Sequence, residues 1–356
     1  METSVPRYDQ DQDRIALAAK MSRPQVSAIG IGGAGCNIIS WIKKKGIVGG
    51  KLVAINTDAN HLTITSADKR ILIGEKVTHG QGAGGYPEKG AAALNENLDE
   101  VKKEVMGANV IFIVAGLGGG TGTGASAALA ESLKGTGPLL VGVVTIPFAI
   151  ERVRMDTAKR GITRLEKACD TLVVIDNNKL VKVAGDLPFQ DALGVANELV
   201  GVFVKDITET ITTASLINLD YADLRSIMEK RGIAAIGSGL SKGKDRVEKA
   251  VKSALEGQLL DINDMTKAYG VLVHVSGGED LTLEEVYHSG ELVTRAVSPK
   301  SKIVWGAKVN PDLKGAAHVF VCLTGVESAF LDYQEASRPG RLGRLGRTIG
   351  NLGNTF

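Results

Sequence analysis

The sequence predicts an α/β protein: a doubly wound parallel sheet, then a long central helix, then a smaller α+β domain toward the C-terminus. Three observations predict it. Between residues 25 and 175, short β-branched runs alternate with helical stretches, which is the pattern of a parallel sheet with crossover helices. The runs are almost continuously apolar, as strands covered on both faces require. Glycine-rich loops follow several runs and open into helices, where sheets of this kind hold their ligands. A length of 356 residues is enough for two domains, each with its own core.

Residues 1–24 are charged and polar and read as an extension. The first domain is expected over 25–186, with strands at 26–30, 51–56, 70–73, 109–115, 139–146 and 171–175. Helices are expected at 37–45, 87–106, 125–134 and 153–169, the second opened by Pro87 at its favoured first position. Residues 187–232 form the connecting segment. Its long helix, 187–212, places Phe189, Leu193, Ala196, Val200, Phe203, Ile207 and Ile211 at spacings of three and four, a core stripe. A shorter helix follows, beginning near Asp220 and ending near Arg231 and Gly232. There Asp220, with Asp223 three residues on, matches an N-cap pattern. The second domain spans 233–328, with strands at 233–237, 270–276, 302–309 and 318–324 and helices at 244–256 and 283–296. Two strand-helix units followed by two strands at hairpin-like separation predict four strands with two helices on one face. It lacks glycine cradles, which favours a contact role over a second active site. Residues 329–356 are a basic, glycine-rich tail.

Composition excludes several classes. Hydrophobic residues make up 44% and charged residues 23%, ordinary for a globular protein. A formal net charge of +2 gives no global basic surface for nucleic acid. Cys36, Cys169 and Cys322 have no metal-ligand spacing, and the five histidines are scattered, so no metal site is predicted. So few cysteines fit a reducing cytoplasm. No apolar run approaches the ~20 residues of a membrane span, and the first residues do not read as a signal peptide. The expectation is a cytoplasmic protein that reaches a membrane only through a partner.

The chemistry is concentrated in loops. Gly116-Leu117-Gly118-Gly119-Gly120-Thr121-Gly122-Thr123-Gly124 follows a strand and precedes a helix. Its backbone can lie against a ligand, and the unpaired amides of the helix that follows attract an anion. The threonine hydroxyls add donors, so phosphate is the natural guest. No Gly-Lys-Ser/Thr ends the loop, so it is not a Walker A motif. Gly30-Ile31-Gly32-Gly33-Ala34-Gly35-Cys36-Asn37 fits Gly-x-Gly-x-x-Gly. Further loops suited to a nucleotide are Asn56-Thr57-Asp58, residues 80–88 with Ala83, Gly84 and Gly85, residues 147–154 with Glu151, Arg152 and Arg154, and Asp176-Asn177-Asn178. Near the start of the long helix, Asn197 offers a donor and an acceptor to a base edge. A nicotinamide-dependent oxidoreductase is the rival reading, since Asp58 follows the first glycine loop by somewhat over 20 residues. That reading leaves residues 116–124 and 218–223 without work.

Two stretches carry a family resemblance. Gly119-Gly120-Thr121-Gly122-Thr123-Gly124 is similar to the tubulin/FtsZ signature, and Asn218-Leu219-Asp220-Tyr221-Ala222-Asp223 resembles the FtsZ loop that completes hydrolysis. Over about residues 25–326 the chain resembles the FtsZ family of tubulin-like cell-division GTPases. The spacing of Glu151-Arg152-Val153-Arg154 is one residue shorter than in bacterial members and resembles the archaeal type. The resemblance implies GTP or GDP with Mg²⁺, its phosphates on Gly32, Gly33, Ala34, Gly35 and Cys36, on Ala83, Gly84 and Gly85, and on Gly118, Gly119, Gly120, Thr121, Gly122 and Thr123. Asn37 and Asn197 would read the guanine. Glu151 with Arg152 or Arg154, the latter favoured, would hold ribose and phosphates, with Asp58 and Asn177 beside them. Where the family stacks an aromatic ring on the base, this chain has Leu193.

Asn218, Asp220 and Asp223 would be the catalytic residues. If Asn197 touches the base, the helix from there to residue 212 runs away for about 20 Å at 1.5 Å per residue. Asp220 and Asp223 would then serve only a neighbour's nucleotide, which requires head-to-tail stacking into filaments. A helix N-terminus stabilises ionised carboxylates, so the pair is expected to orient and polarise water. The implied partners are further copies of the chain, end to end and side by side, and a membrane-tethering division protein bound through the tail. A non-hydrolysing filament or regulatory protein of the same superfamily is the alternative.

Overall fold

In a computed structural model, residues 23–184, 186–213, 219–257, 262 and 264–327 are described. Ten strands form one sheet in the order β3-β2-β1-β4-β5-β6-β7-β10-β8-β9. The strands are β1 (Val26–Ile31), β2 (Gly50–Asn56), β3 (Lys69–Leu72), β4 (Val110–Gly116), β5 (Leu139–Ile146), β6 (Thr171–Asp176), β7 (Gly232–Lys242), β8 (Gly270–Gly277), β9 (Lys302–Val309) and β10 (Ala316–Thr324). From β3 to β7 all pairings are parallel. The order reverses beside β1, so its carboxyl end and that of β4 form the switch point where such sheets leave a crevice.

Both faces are covered, which is why the strands read as unbroken apolar runs. Ile111, Ile113 and Ala115 of β4 point into one core, and Val110, Phe112 and Val114 into the other. The first core is closed by α4 (Pro87–Glu96), α5 (Leu98–Val105), α6 (Gly120–Leu133) and α7 (Arg152–Ala168), and further along the sheet by α11 (Arg246–Glu256) and α12 (Leu283–Ala296). Against the second lie α1 (Gly32–Lys45), α2 (Ala59–Ile64), α8 (Asn177–Ala184), α9 (Phe189–Thr212) and α10 (Tyr221–Met228). The one-turn α3 (Glu75–Thr78) packs near α4. No described helix is long and apolar enough to cross a membrane.

Several elements depart from the sequence-based expectation. The helix expected over 87–106 is two, because Asn97 leaves helical geometry and its side-chain oxygen accepts from the Gly74 amide. α6 starts at Gly120 rather than Ala125. A Cβ on Gly124 would stand 1.8 Å from the Pro87 carbonyl oxygen, so that glycine serves the close packing of α6 on α4. α1 likewise begins at Gly32 rather than Asn37. Of Asp176-Asn177-Asn178, read as a loop, Asp176 ends β6 and Asn177 begins α8, with the Asp176 carboxylate accepting from the Asn178 amide at 2.8 Å.

The last four strands are not a separate layer. β7 pairs with β6 through Thr171–Gly232, Leu172–Ile233 and Val173–Ala234, which continues the sheet. β9 and β10 form no hairpin either. β10 inserts antiparallel between β7 and β8, while β9 lies at the edge, parallel to β8. α11 and α12 do share one face, but the other face rests on α9 and α10. The tail expected over 329–356 and most of the 1–24 extension lie outside the described residues.

Candidate active site

A cleft of about 530 Å³ opens at the carboxyl ends of β1, β4, β5 and β6. Gly33 and Ala34 line it from α1, residues 116, 117 and 119–122 from the end of β4 through the start of α6, and Thr145, Pro147 and Phe148 from the end of β5 and just beyond it. Ile150, Glu151 and Arg154 follow, then Asn177 at the start of α8 and Leu193 on α9.

The loop after β4 is held from beneath. Gly118 has φ +99°, a left-handed backbone that a side chain would strain. Its amide donates to the buried Thr123 hydroxyl at 2.9 Å, and the Leu117 amide donates to the Thr145 carbonyl at 2.9 Å. Thr123 is therefore part of the loop's scaffold, whereas Thr121 faces the cleft. α1, α6 and α7 all begin here, and none carries a side-chain cap or an acidic residue in its first turn. Their first amides and dipoles thus meet the cleft, where the carboxylate in the lining, Glu151, is paired with Arg154.

Two further loops are laced onto this one. The Thr57 hydroxyl oxygen lies 2.6 Å from that of Thr121. The Gly82 amide donates to the Thr57 carbonyl at 3.0 Å, and Asp58 pairs with Gln81 in an antiparallel bridge. Asp58 itself caps α2, accepting from the His61 amide at 3.0 Å. Ala83 is buried against Gly120, while Gly84 and Gly85 are exposed. Gly32 and Gly35 are buried, and the Cys36 thiol is sealed under the sheet, where burial pushes it up to about 12. Only the backbone of those three residues can face a ligand.

Glu151 is fixed by the Phe148 amide, which donates to it at 3.1 Å, and pairs with Arg154 at 2.5 Å. Arg154 also stands against Gly118 and Gly119, whereas exposed Arg152 is not among the lining residues. Asn178 is spent on the Ala149 amide, and Asp176 accepts from Asn178. Asn177 Oδ1, in contrast, is buried without a partner among the described residues, an acceptor open to a hydroxyl or amide at the cleft wall.

Asn37 and Asn197 do not line the cleft. Trp41 packs against Gly201, and each asparagine lies one turn nearer the cleft on its own helix. Leu193, one turn before Asn197, does reach the lining.

Asp220 and Asp223 are at the other end of the sheet. Asp220 caps α10, accepting from the Asp223 amide at 2.7 Å. The Tyr221 hydroxyl donates to the Asn109 carbonyl, and Arg225 to the Gly137 carbonyl. Those carbonyls precede β4 and β5, so α10 sits at the strands' amino edge. β4 has seven residues, about 23 Å at 3.3 Å per residue, and that length separates these aspartates from Gly116. Asn218 lies outside the described residues. Sequence reasoning missed the Thr57–Thr121 contact and the wall made by Thr145, for no motif marks them, and it named the 147–154 loop for its charged residues rather than for Phe148 and Ile150, which also line the cleft.

Residues 25–185 match the family model described as the Tubulin/FtsZ family, GTPase domain, and residues 232–327 match the FtsZ family, C-terminal domain. Cell division protein FtsZ 2 of Methanocaldococcus jannaschii is 44% identical over 315 residues, covering 88% of this chain and 83% of that protein. Cell division protein FtsZ 1 of Archaeoglobus fulgidus is 42% identical over 322 residues, covering 90% and 87%. A solved FtsZ dimer from M. jannaschii superposes with a TM-score of 0.84 at 42% identity, over 90% of this chain and 93% of that one. A CetZ2 protofilament from Haloferax volcanii, 23% identical over 88% and 98% of the two chains, shares the fold with a TM-score of 0.74.

Proposed function

Because the chain belongs to the FtsZ branch of the tubulin/FtsZ family of GTPases, we propose that it assembles head to tail into filaments for cell division and hydrolyses GTP at the junction between subunits. The observation that carries this reading is the separation of the two half-sites by the length of β4. A cleft with three uncapped helix N-termini holds the nucleotide at one edge of the sheet, and a pair of exposed aspartates stands at the other. One copy cannot bring them together, but stacking the amino edge of one onto the carboxyl edge of the next does. Exposed apolar side chains at both edges support such a contact: Tyr86, Ile150 and Val153 around the cleft, Val48 and Met106 opposite. Solved relatives include a dimer and a protofilament.

In this reading the phosphates lie on the amides of residues 32–36, 83–85 and 118–123, with Arg154 beside them and Glu151 and Asn177 toward the ribose. Asn37 and Asn197 meet the guanine, and Leu193 gives the base an apolar contact. Asp223, whose carboxylate is not used by the cap, orients the attacking water together with Asp220 and Asn218. Mg²⁺ would arrive bound to the triphosphate. When bound, it would offset the charge that builds on the phosphates. The filament would stand in the cytoplasm at the division site, tethered to the membrane by a partner held through the C-terminal tail.

Turnover measured against protein concentration tests the shared site. Specific activity should rise steeply above a threshold, and concentration-independent turnover refutes it. Mixing sharpens the test. Asp223→Asn and a cleft variant such as Gly118→Val should each be nearly inactive alone and regain activity together, because one supplies the cleft and the other the aspartate.

A further inference from the structure

We propose that Thr57 is a positioning residue for the nucleotide phosphates: its buried hydroxyl donates to Thr121 and thereby commits the Thr121 proton to the cleft. The inference rests on the reading that the triphosphate lies against residues 118–123.

The two hydroxyl oxygens are 2.6 Å apart, so one donates and the other accepts. Distance alone leaves the direction open. Burial decides it. Thr57 is 0% exposed, and among the described residues its hydroxyl has only Thr121 as partner. If it did not donate there, its proton would be stranded away from water, a loss comparable to a whole hydrogen bond. Thr121 is half-buried and borders the cleft, where water or a phosphate oxygen can take its proton. The arrangement without a stranded donor therefore runs from Thr57 to Thr121 to the cleft. A hydroxyl that accepts one bond becomes a better donor in the next, and an anionic acceptor strengthens that bond again.

The rest of Thr57 explains why it can hold this position. Its amide donates to the Asn56 side chain at 2.9 Å. Its carbonyl accepts from the Gly82 amide at 3.0 Å and from the Thr78 hydroxyl at 3.4 Å. One buried residue thus anchors the 80–85 loop with its backbone and polarises the phosphate loop with its side chain.

Isosteric variants separate this role from packing. Thr57→Val keeps the shape and loses the hydroxyl; Thr57→Ser keeps the hydroxyl and loses a methyl. A fluorescent GTP analogue is titrated onto each protein below the assembly threshold, with thermal unfolding as a check on folding. Thr57→Val should bind about tenfold more weakly than the unaltered protein and Thr57→Ser within about twofold of it. Thr57→Val combined with Thr121→Val should be no worse than Thr121→Val alone. If Val is not accommodated, Thr57→Ala removes the hydroxyl without adding bulk and should show the same loss. A residue that only packs gives the reverse order, Ser worse than Val, and that order or additive losses overturn the proposal. Failure of the unaltered protein to bind would overturn the reading of the cleft as well, whereas normal binding with the reverse order overturns the Thr57 role alone.

Discussion

Asp206 and His274 show how a single residue's environment sets its chemistry. Asp206 lies on α9 beside Lys205 and Glu209, near Lys308 of β9, and its Oδ2 atom is buried without a partner among the described residues. Burial, aided by the Glu209 charge and opposed by the two lysines, pushes it up to about 7. His274 of β8, bonded to Thr210 of α9 at 3.0 Å, is pushed down to about 4 by burial and then by His318 of β10 and Lys308, with Glu209 opposing. Folded Asp206 thus holds its proton more tightly than an unfolded aspartate. Its contribution to stability is full below about pH 4 and lost as pH rises through 7. Folded His274 holds its proton less tightly than an unfolded histidine. Its contribution is full above about pH 6.5 and lost as pH falls through 4. Between about pH 4 and 6.5 the two slopes oppose each other. Asp206→Asn removes one of them. Urea unfolding of that variant should show stability falling from pH 6.5 to 4.5 by roughly 1–2 kcal/mol more than in the unaltered protein. An unchanged pH profile would refute the assignment.

At the scale of an element, α10 combines two roles in one turn. Capping of Asp223's amide by Asp220 was legible from the spacing, and the structure has the bond at 2.7 Å. The cap and the proposed catalysis need different things from Asp220, since a serine hydroxyl caps a helix as well as a carboxylate but lacks its charge. Asp220→Ser should therefore keep the unfolding free energy within about 0.5 kcal/mol while GTP turnover falls at least tenfold. Asp220→Ala should cost about 1 kcal/mol as well as turnover. Equal turnover in Asp220→Ser and the unaltered protein would reduce Asp220 to a cap. α6 teaches the converse. Its glycines read as a ligand loop through Gly124, yet the helix already runs from Gly120, because Gly124 answers to the backbone of α4.

For the whole molecule, α9 is the element that makes one body of two family modules. β6 and β7 join through only three residue pairs, a short seam for a ten-stranded sheet. Across that seam Phe203 of α9 meets Phe112 of β4 edge to face at 6.0 Å and Phe320 of β10 at 5.3 Å. All three rings are buried. Phe203→Ala should cost about 3–5 kcal/mol, in the range for a buried aromatic. Because the lost contacts span both halves, calorimetry should resolve two unfolding transitions where the unaltered protein has one. A single transition shifted to lower temperature would show that the seam alone couples the halves.

The sequence by itself determined the α/β class, the strands from β1 to β6, the glycine loops and the N-cap at Asp220. Each of these is local: a periodicity, a backbone that needs glycine, or a cap and its amide within one turn. Tertiary structure alone decided which loops meet. It joined Thr57 to Thr121, spent Asn178 on the Ala149 amide, sealed Cys36 away, and threaded β10 between β7 and β8. Those outcomes depend on contacts between residues far apart in the chain, where many side chains of equal local propensity compete and packing in three dimensions selects among them.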